Sequence, residues 1–437
     1  MKTSKMLNPP LLLFVFIIFI LIIVSYSLKD LDFVAISLFL MFICAAVTGI
    51  MRGIGIEVFI MFVQWQAIII ILSMSIITKI AQDSNILEYV AVKLFKISKG
   101  NQRTFFWLLC IISTLLAAII SDVVVVLILA PIVIRLCNFL KIRAGTYLMG
   151  MTVCINIGSI ITPFSSGENI IISTAFGLNT LYFMQLFWIF AFSLLFLTIF
   201  LMDRFILSKE PKIDAMQKKF VLELIDTDVM IKNKRMFYIN SIAIIITIVL
   251  FAVLPLLYLT AAVSALILVL INRKFTKKEM SGLLKDIEWE IIFFFIALYV
   301  VVGCLIEAGF RDLIMMFPFT KFDVFLLCLI ILIVVSVLSG LVANTPTALI
   351  FIPIIETLIL LGFPPIPLLF ALIIGVNLGG NFLPQGAACD MMTLKIAQDS
   401  GVENFSFKRL FKTGAVFALI HLAVAILYLF ILVLIFG

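Results

Sequence analysis

Three carboxylates stand inside stretches otherwise built of Ile, Leu, Val and Phe: Asp122, Glu168 and Asp390. Holding an acid at membrane depth is costly, so each is a candidate for function by default. Neutral oxygen-bearing side chains accompany them: Asn156, Thr162, Ser165, Ser166 and Asn169 around Glu168, Asn344 and Thr345 farther on, and Asn377, Asn381 and Gln385 before Asp390. Hard cations take oxygen ligands, so carboxylates, amides, hydroxyls and the carbonyls of unwound backbone together suit a Na⁺ or H⁺ site. Removal from water favours the neutral form of a carboxyl group, which equips the same groups to carry a proton. Each acid also has a plainer reading, as a structural group pairing with a buried amide or capping a hairpin. Asp122, just before an apolar helical arm, fits an N-cap.

The elements that must position these groups are broken helices. From Cys154 to Ser173 an apolar segment is interrupted by Asn156, Gly158, Thr162, Pro163, Ser165, Ser166, Gly167, Glu168 and Asn169, too many polar groups and breakers for a plain span. Irregular backbone survives at membrane depth only where it faces protein or a water-filled cavity. Glu168 falls where the second half of the break begins, so a helix N-terminus favours its charge. A second copy runs from Asn377 to Asp390 and repeats Asn-x-Gly-x-x-x-x-Pro. Asn156, Gly158 and Pro163 answer to Asn377, Gly379 and Pro384, and Asn169 answers to Asp390. Trp65 pairs with Trp289, and Ser121-Asp122 through Pro131 with Ala343-Asn344 through Pro353, in the same order. The chain reads as a two-fold internal repeat. Gly158, Pro163, Gly379 and Pro384 shape the breaks; Asn156 and Asn377 either satisfy freed carbonyls or line a site.

Of 437 residues 64% are apolar and 13% charged, and runs long enough to cross a bilayer recur throughout, so the class is an all-α polytopic membrane protein. The short alternating segments of a β-barrel are absent. Lys and Arg gather in a few loops, which reads the net charge of +7 as topology and not as a nucleic-acid footprint. The seven Cys residues are scattered with no CxxC or Cys/His cluster, and read as reduced core residues. Leu11 to Ser27 resembles a signal peptide but lacks a clean cleavage site, and reads as a helix.

Spans are expected at about 11–28, 32–51 and 57–79, then an amphipathic surface helix over 81–103, with Leu87, Val90, Ala91, Leu94 and Phe95 on one face. Arms at 104–120 and 123–140 flank Ser121-Asp122 and have basic outer ends. They suggest a re-entrant hairpin, with two full spans as the alternative. A broken helix at 145–178 and a span at 181–202 complete a first repeat over 1–202. A polar, cytoplasmic linker is expected at 203–235, and a second repeat over 236–437. The latter has spans at 237–255, 257–272 and 286–305, a hairpin at 323–361, a broken helix at 366–398 and a last span at 411–436. The basic loops at 273–278 and 395–412 go inside, and the ends of the second hairpin are poor in Lys and Arg. The second hairpin therefore enters from outside, which puts both termini outside and gives about ten spans in two inverted repeats. His421 reads as a packed residue and Arg135 as an interfacial snorkelling group.

With hairpin tips and breaks in view, the chain resembles the ion transporter superfamily. That group includes arsenite permeases, D-type sodium/proton antiporters, the melanosomal P protein, citrate carriers and divalent anion/sodium symporters. The nearest wording is to the arsenite permease and P protein branch. It lies in Val63-Gln-Trp65, Leu87-Glu88 to Lys93 with Lys99-Gly100-Asn101, the Asp122-to-Pro131 arm, and Asn156-Ile-Gly158 leading to Glu168-Asn169-Ile170. The likeness runs from about Trp65 to Gly401. It implies an elevator-like or rocking carrier whose two tips and two broken helices form one central site. The first tip carries Asp122 where the family has Asn, and the second keeps Asn344 and Thr345. In the first loop the family's Thr-x-Ile-Gly becomes Thr162-Pro163-Phe164-Ser165, and in the second Leu383 and Gln385 stand where it has Thr and Ile. The paired Ser-Asn-Thr of the dicarboxylate branch is missing.

The expected function is a secondary carrier for a small inorganic or carboxylate ion, coupled to Na⁺ or H⁺, with no cofactor and no nucleic-acid partner. Three buried acids favour cation/proton antiport. The overall wording favours an arsenite permease or a generic small-anion permease, and arsenite, neutral at pH 7, is compatible with buried acids. One His and no zinc-ligand spacing leave no enzyme chemistry to build. A channel would give ohmic conductance where a carrier gives saturable, gradient-coupled flux. The bilayer is the expected surrounding, and the resemblance implies a possible homodimer.

Overall fold

Apolar periodicity without strand-like alternation yields helices, and the described residues contain no strand. The structure is a computed structural model that describes residues 7–28, 31–211, 231–254, 256–276 and 280–437; residues 212–230, most of the expected linker, lie outside them. Eleven helices among the described residues are long and apolar enough to cross a bilayer. The protein is a multi-pass integral membrane protein.

The first repeat opens with α1 (Pro9–Ser27), α2 (Phe33–Arg52), the short α3 (Ile56–Phe62) and α4 (Trp65–Asp83). The expected span at 57–79 is thus two pieces. Val63 is extended and Gln64 non-helical between them, and the Trp65 indole donates to Ile60 O at 3.1 Å. The expected amphipathic helix at 81–103 is shorter as well. It is α5 (Ile86–Ile97), set off from α4 by Asn85 at φ 56°, and it buries Leu87, Ala91, Leu94 and Phe95. The hairpin arms are α6 (Gln102–Ala117) and α7 (Asp122–Phe139), and the broken helix is α8 (Ala144–Gly158) and α9 (Gly167–Phe176). The span at 181–202 is interrupted at Phe187, giving α10 (Thr180–Leu186) and α11 (Trp188–Phe205).

The second repeat comprises α12 (Lys234–Val253), α13 (Leu257–Thr276), the short α14 (Met280–Leu284), α15 (Trp289–Glu307) and the short α16 (Phe310–Met315). Its hairpin arms are α17 (Val324–Val342) and α18 (Asn344–Leu360), its broken helix α19 (Pro365–Gly379) and α20 (Ala388–Asp399), and its last span α21 (Phe407–Phe436). The repeat extends to local detail. The Trp289 indole donates to Leu284 O at 2.7 Å, five residues back, as Trp65 does.

The two repeats interlock by exchange. Helix α2 packs on α15 and α13 on α4, while α7 packs on α20 and α18 on α9. Within each repeat the first hairpin arm lies along the first half of the broken helix, α6 on α8 and α17 on α19. At 15 residues each, α8 and α19 are about 22 Å long, short of the ~30 Å hydrocarbon core, so each needs its second half to cross. Every residue of α8 is buried, whereas α2, α12, α13 and α21 expose Phe39, Ile242, Leu270 and Leu427. The broken helices are therefore central and the plain spans peripheral.

Two faces can be told apart by the hydrogen bonds and ion pairs that close them. On the linker-side face Asn240, in the second turn of α12, donates to Ser84 Oγ at 2.6 Å and to Asn272 Oδ1 at 2.7 Å; Arg103, at the base of the first hairpin, pairs with Asp203 at the end of α11. On the far face Asn8 N donates to Ala308 O at 3.0 Å, and Arg311 pairs with Glu356 near the outer end of the second hairpin. The hairpins enter from opposite faces and their tips meet inside, so neither is a full span although α7 and α17 are long enough to be one.

Candidate functional site

Where the tips meet, a cavity of about 220 Å³ is bordered by Ser121–Val124, Ser165–Glu168, Ala343–Pro346, Gly386 and Ala388. These are the starts of α7, α9, α18 and α20, so four helix N-termini converge on one space. Asp122 is the first residue of α7, one position later than an N-cap. Its Oδ1 accepts from Val123 N at 2.8 Å, while Ser121 holds the cap position without a side-chain cap bond. Glu168 is the second residue of α9; Oε1 accepts from Asn344 Nδ2 at 3.0 Å, and Asn344 Oδ1 accepts from Ser339 Oγ at 2.6 Å. The first broken helix and the second hairpin are thus joined through a carboxylate at the cavity wall.

Behind the wall lies a buried polar seam between the repeats. Asn156 Nδ2 donates to Asn381 Oδ1 at 2.6 Å and to Asp390 Oδ1 at 3.2 Å, and Thr152 Oγ1 donates to Asp390 Oδ1 at 2.8 Å. At the equivalent place Asn377 Nδ2 donates to Asn169 Oδ1 at 2.8 Å. Each repeat's pre-break Asn therefore reaches the post-break residue of the other repeat. Thr162 Oγ1 donates to Ala118 O at 2.7 Å, fastening the first break to the first tip.

On the linker side the cavity continues past Ser75, Thr78, Lys79 and Gln82 of α4 to the exposed Asp286 and Glu288. Lys79 Nζ lies 3.3 Å from Asp286 and 3.8 Å from Asp83. Tyr26, Phe33, Phe294 and Phe295 form a wall of rings.

The model of the citrate transporter family matches residues 12–357 and 314–436. The chain belongs to the citrate transporter family. An uncharacterized transporter of Mycobacterium bovis is 26% identical to this transporter, over 84% of this chain and 86% of its own. The P protein of Mus musculus is 22% identical over 84% of this chain and 54% of that protein. Among solved structures, the YdaH transporter of Alcanivorax borkumensis has a TM-score of 0.61 at 11% identity over 87% of each chain. MtrF of Neisseria gonorrhoeae has 0.64 at 10% identity over 99% of this chain and 97% of its own. At such identities these two likenesses show the fold alone.

Of the residues singled out in the sequence of this transporter, Asp122, Ser165, Ser166, Glu168, Asn344 and Thr345 line the cavity. Asn156, Asn169, Asn377, Asn381 and Asp390 lie in the seam, Thr162 at the first tip, and Gln385 is exposed outside the cavity. His421 is buried between α11 and α21, its Nε2 2.9 Å from Thr198 Oγ1. Sequence reasoning missed Tyr26, Phe33 and the aromatic pair on α15, which carry no motif. It also missed the α4 residues, whose signal was present: Ser75, Thr78, Lys79 and Gln82 recur at i, i+3, i+4 and i+7, a polar stripe on an otherwise apolar helix.

Proposed function

We propose that this transporter exchanges a cation for protons, with Asp122 and Glu168 as the groups that hold either. The observation that carries the reading is the convergence of these two carboxylates, one from a hairpin tip and one from a broken helix, on a single cavity. The one Lys or Arg lining it among the described residues, Lys79, sits beside Asp83 and Asp286 near the mouth. A site holding two acids and no free-standing cation attracts positive charge, and two carboxylates can be neutralised by protons or by a cation in turn. We place the linker-side face in the cytoplasm. Arg52, Arg311 and Lys321 are the described Lys and Arg residues of the far face, and the rest gather on the linker side, as the positive-inside rule requires.

A second reading, a proton-coupled small-anion permease, draws on the family match and on the four helix N-termini. Each end is equivalent to roughly half a positive charge, so with both acids protonated the cavity would favour a small carboxylate.

Proteoliposomes loaded with a pH-sensitive dye and given an external Na⁺ or Li⁺ jump, without anionic substrate, separate the two. Cation/proton exchange makes the lumen alkaline, and Asp122→Asn or Glu168→Gln abolishes the shift. A lumen pH that stays flat for every alkali cation sinks the alkali form of this reading and sends the search to arsenite, citrate and other small anions.

A further inference from the structure

The cavity is a poor fit for a bare alkali ion as its sole occupant. An alkali ion binds in a close cage of oxygens, whereas one side of this space is aromatic. Tyr26 and Phe294 stack at 4.9 Å with their planes 15° apart, and Phe33 meets both edge-on at 5.3 and 5.5 Å. Phe294 is buried behind, so Tyr26, 37% exposed, presents its ring to the space. Tyr26, Asp122 and Glu168 line the same space. Phe295 closes the adjoining side, where its ring would lie 3.1 Å from a Cβ at Gly167, one residue before Glu168. The charged groups facing this space are Asp122, Glu168, Asp286, Glu288 and Lys79. A cavity of about 150 Å³ accommodates a benzene ring, so 220 Å³ holds a ring with a small charged head.

We infer that the transported species is an organic cation, a quaternary or protonated amine on a small aromatic or aliphatic body, exchanged for protons. The ammonium head sits between Asp122 and Glu168, and its body lies against the Tyr26 ring, where cation–π attraction adds to burial of apolar surface. This rests on the cation/proton reading and names its substrate class. A cation of this kind for one proton is an electroneutral exchange that leaves the net charge of the cavity unchanged.

The test uses the full chain in proteoliposomes with an acidic lumen and radiolabelled benzyltrimethylammonium, which is permanently charged and has no membrane-permeant neutral form. Saturable uptake with loss of lumenal protons is expected. Tetramethylammonium, which keeps the charge but lacks the ring, forgoes burial of the ring's apolar surface against Tyr26 and should bind about 10-fold more weakly. Tyr26→Leu should narrow that preference and Tyr26→Phe, which keeps the ring, should preserve it; the second variant guards against a fold defect in the first. Exchange of Na⁺ or Li⁺ for protons with no uptake of benzyltrimethylammonium overturns the substrate class and leaves the cation/proton reading standing. Uptake of benzoate in place of every cation overturns both.

Discussion

Asn169 and Asp390 occupy the same position in the two repeats and do different work. The Asn169 amide donates to Ser159 O and Thr162 O, closing the first break, while its own oxygen accepts from Asn377. Asp390 has no N–H to give, and its carboxylate accepts from Thr152 and Asn156. Leaving a buried acceptor without its donor costs about 1–3 kcal/mol. Ser165 Oγ also reaches Ser159 O at 2.5 Å and Thr162 O at 2.8 Å but has one hydrogen to give, so Asn169→Asp leaves one of the two carbonyls without a donor and should lower stability by about 1–3 kcal/mol. Asp390→Asn, which keeps an acceptor oxygen, should be far milder. Thermal unfolding in detergent compares them; equal midpoints would mean that something else closes the first loop. At the second tip Ala343 has φ 98°, a conformation that glycine adopts without penalty, directly before Asn344. Ala343→Gly should raise stability by about 1 kcal/mol, and a lowered midpoint would show that the methyl group has a packing role there.

At the scale of elements the breaks depend on close backbone approach. A Cβ at Gly158 would lie 2.5 Å from Thr114 O on α6, and one at Gly379 would lie 2.4 Å from Ser336 O on α17. Both carbonyls belong to backbone and cannot swing aside, so each Gly→Ala change must push a hairpin arm away from its broken helix. Overpacking of this kind costs about 1–3 kcal/mol, and Gly158→Ala and Gly379→Ala should lower the unfolding midpoint by similar amounts. A large effect at one and none at the other would mean that the two halves do not share this joint. The pattern Asn-x-Gly-x-x-x-x-Pro made both joints legible, because a run of breakers inside an apolar segment is tolerated only where the helix stops. The interruptions at Val63-Gln64 and Phe187 were hidden for the opposite reason, since no Gly or Pro marks them and the flanking segments stay apolar, with only Gln64 and Gln66 to signal the first. The aromatic wall was illegible in a different way: Tyr26 and Phe33 look like any ring on an apolar span, and only the packing of α1 and α2 beside α15 gives them a cavity to face.

For the whole molecule the decisive feature is the opposed entry of the hairpins, which lets two tips of one sequence pattern approach a common cavity from both sides of the membrane. The sequence carried this through the distribution of Lys and Arg, because the ends of the first hairpin are basic and those of the second hold only Lys321. All seven native cysteines are buried, so single surface cysteines can report each end separately. Lys99→Cys and Lys141→Cys bracket the first hairpin, and Lys321→Cys and Leu360→Cys bracket the second; all four positions are exposed. A membrane-impermeant maleimide applied to intact cells should label positions 321 and 360 and leave 99 and 141 untouched until the cells are lysed. Labelling of one end of a hairpin from outside and of its other end only after lysis would turn that hairpin into a full span. All four labelling from one side would remove the inversion itself. With the expected pattern established, Thr78→Cys reports on the cavity, which opens on the linker-side face in this structure. It should react with reagent admitted to that face, and less so when a saturating substrate fills the space between α4 and the two carboxylates.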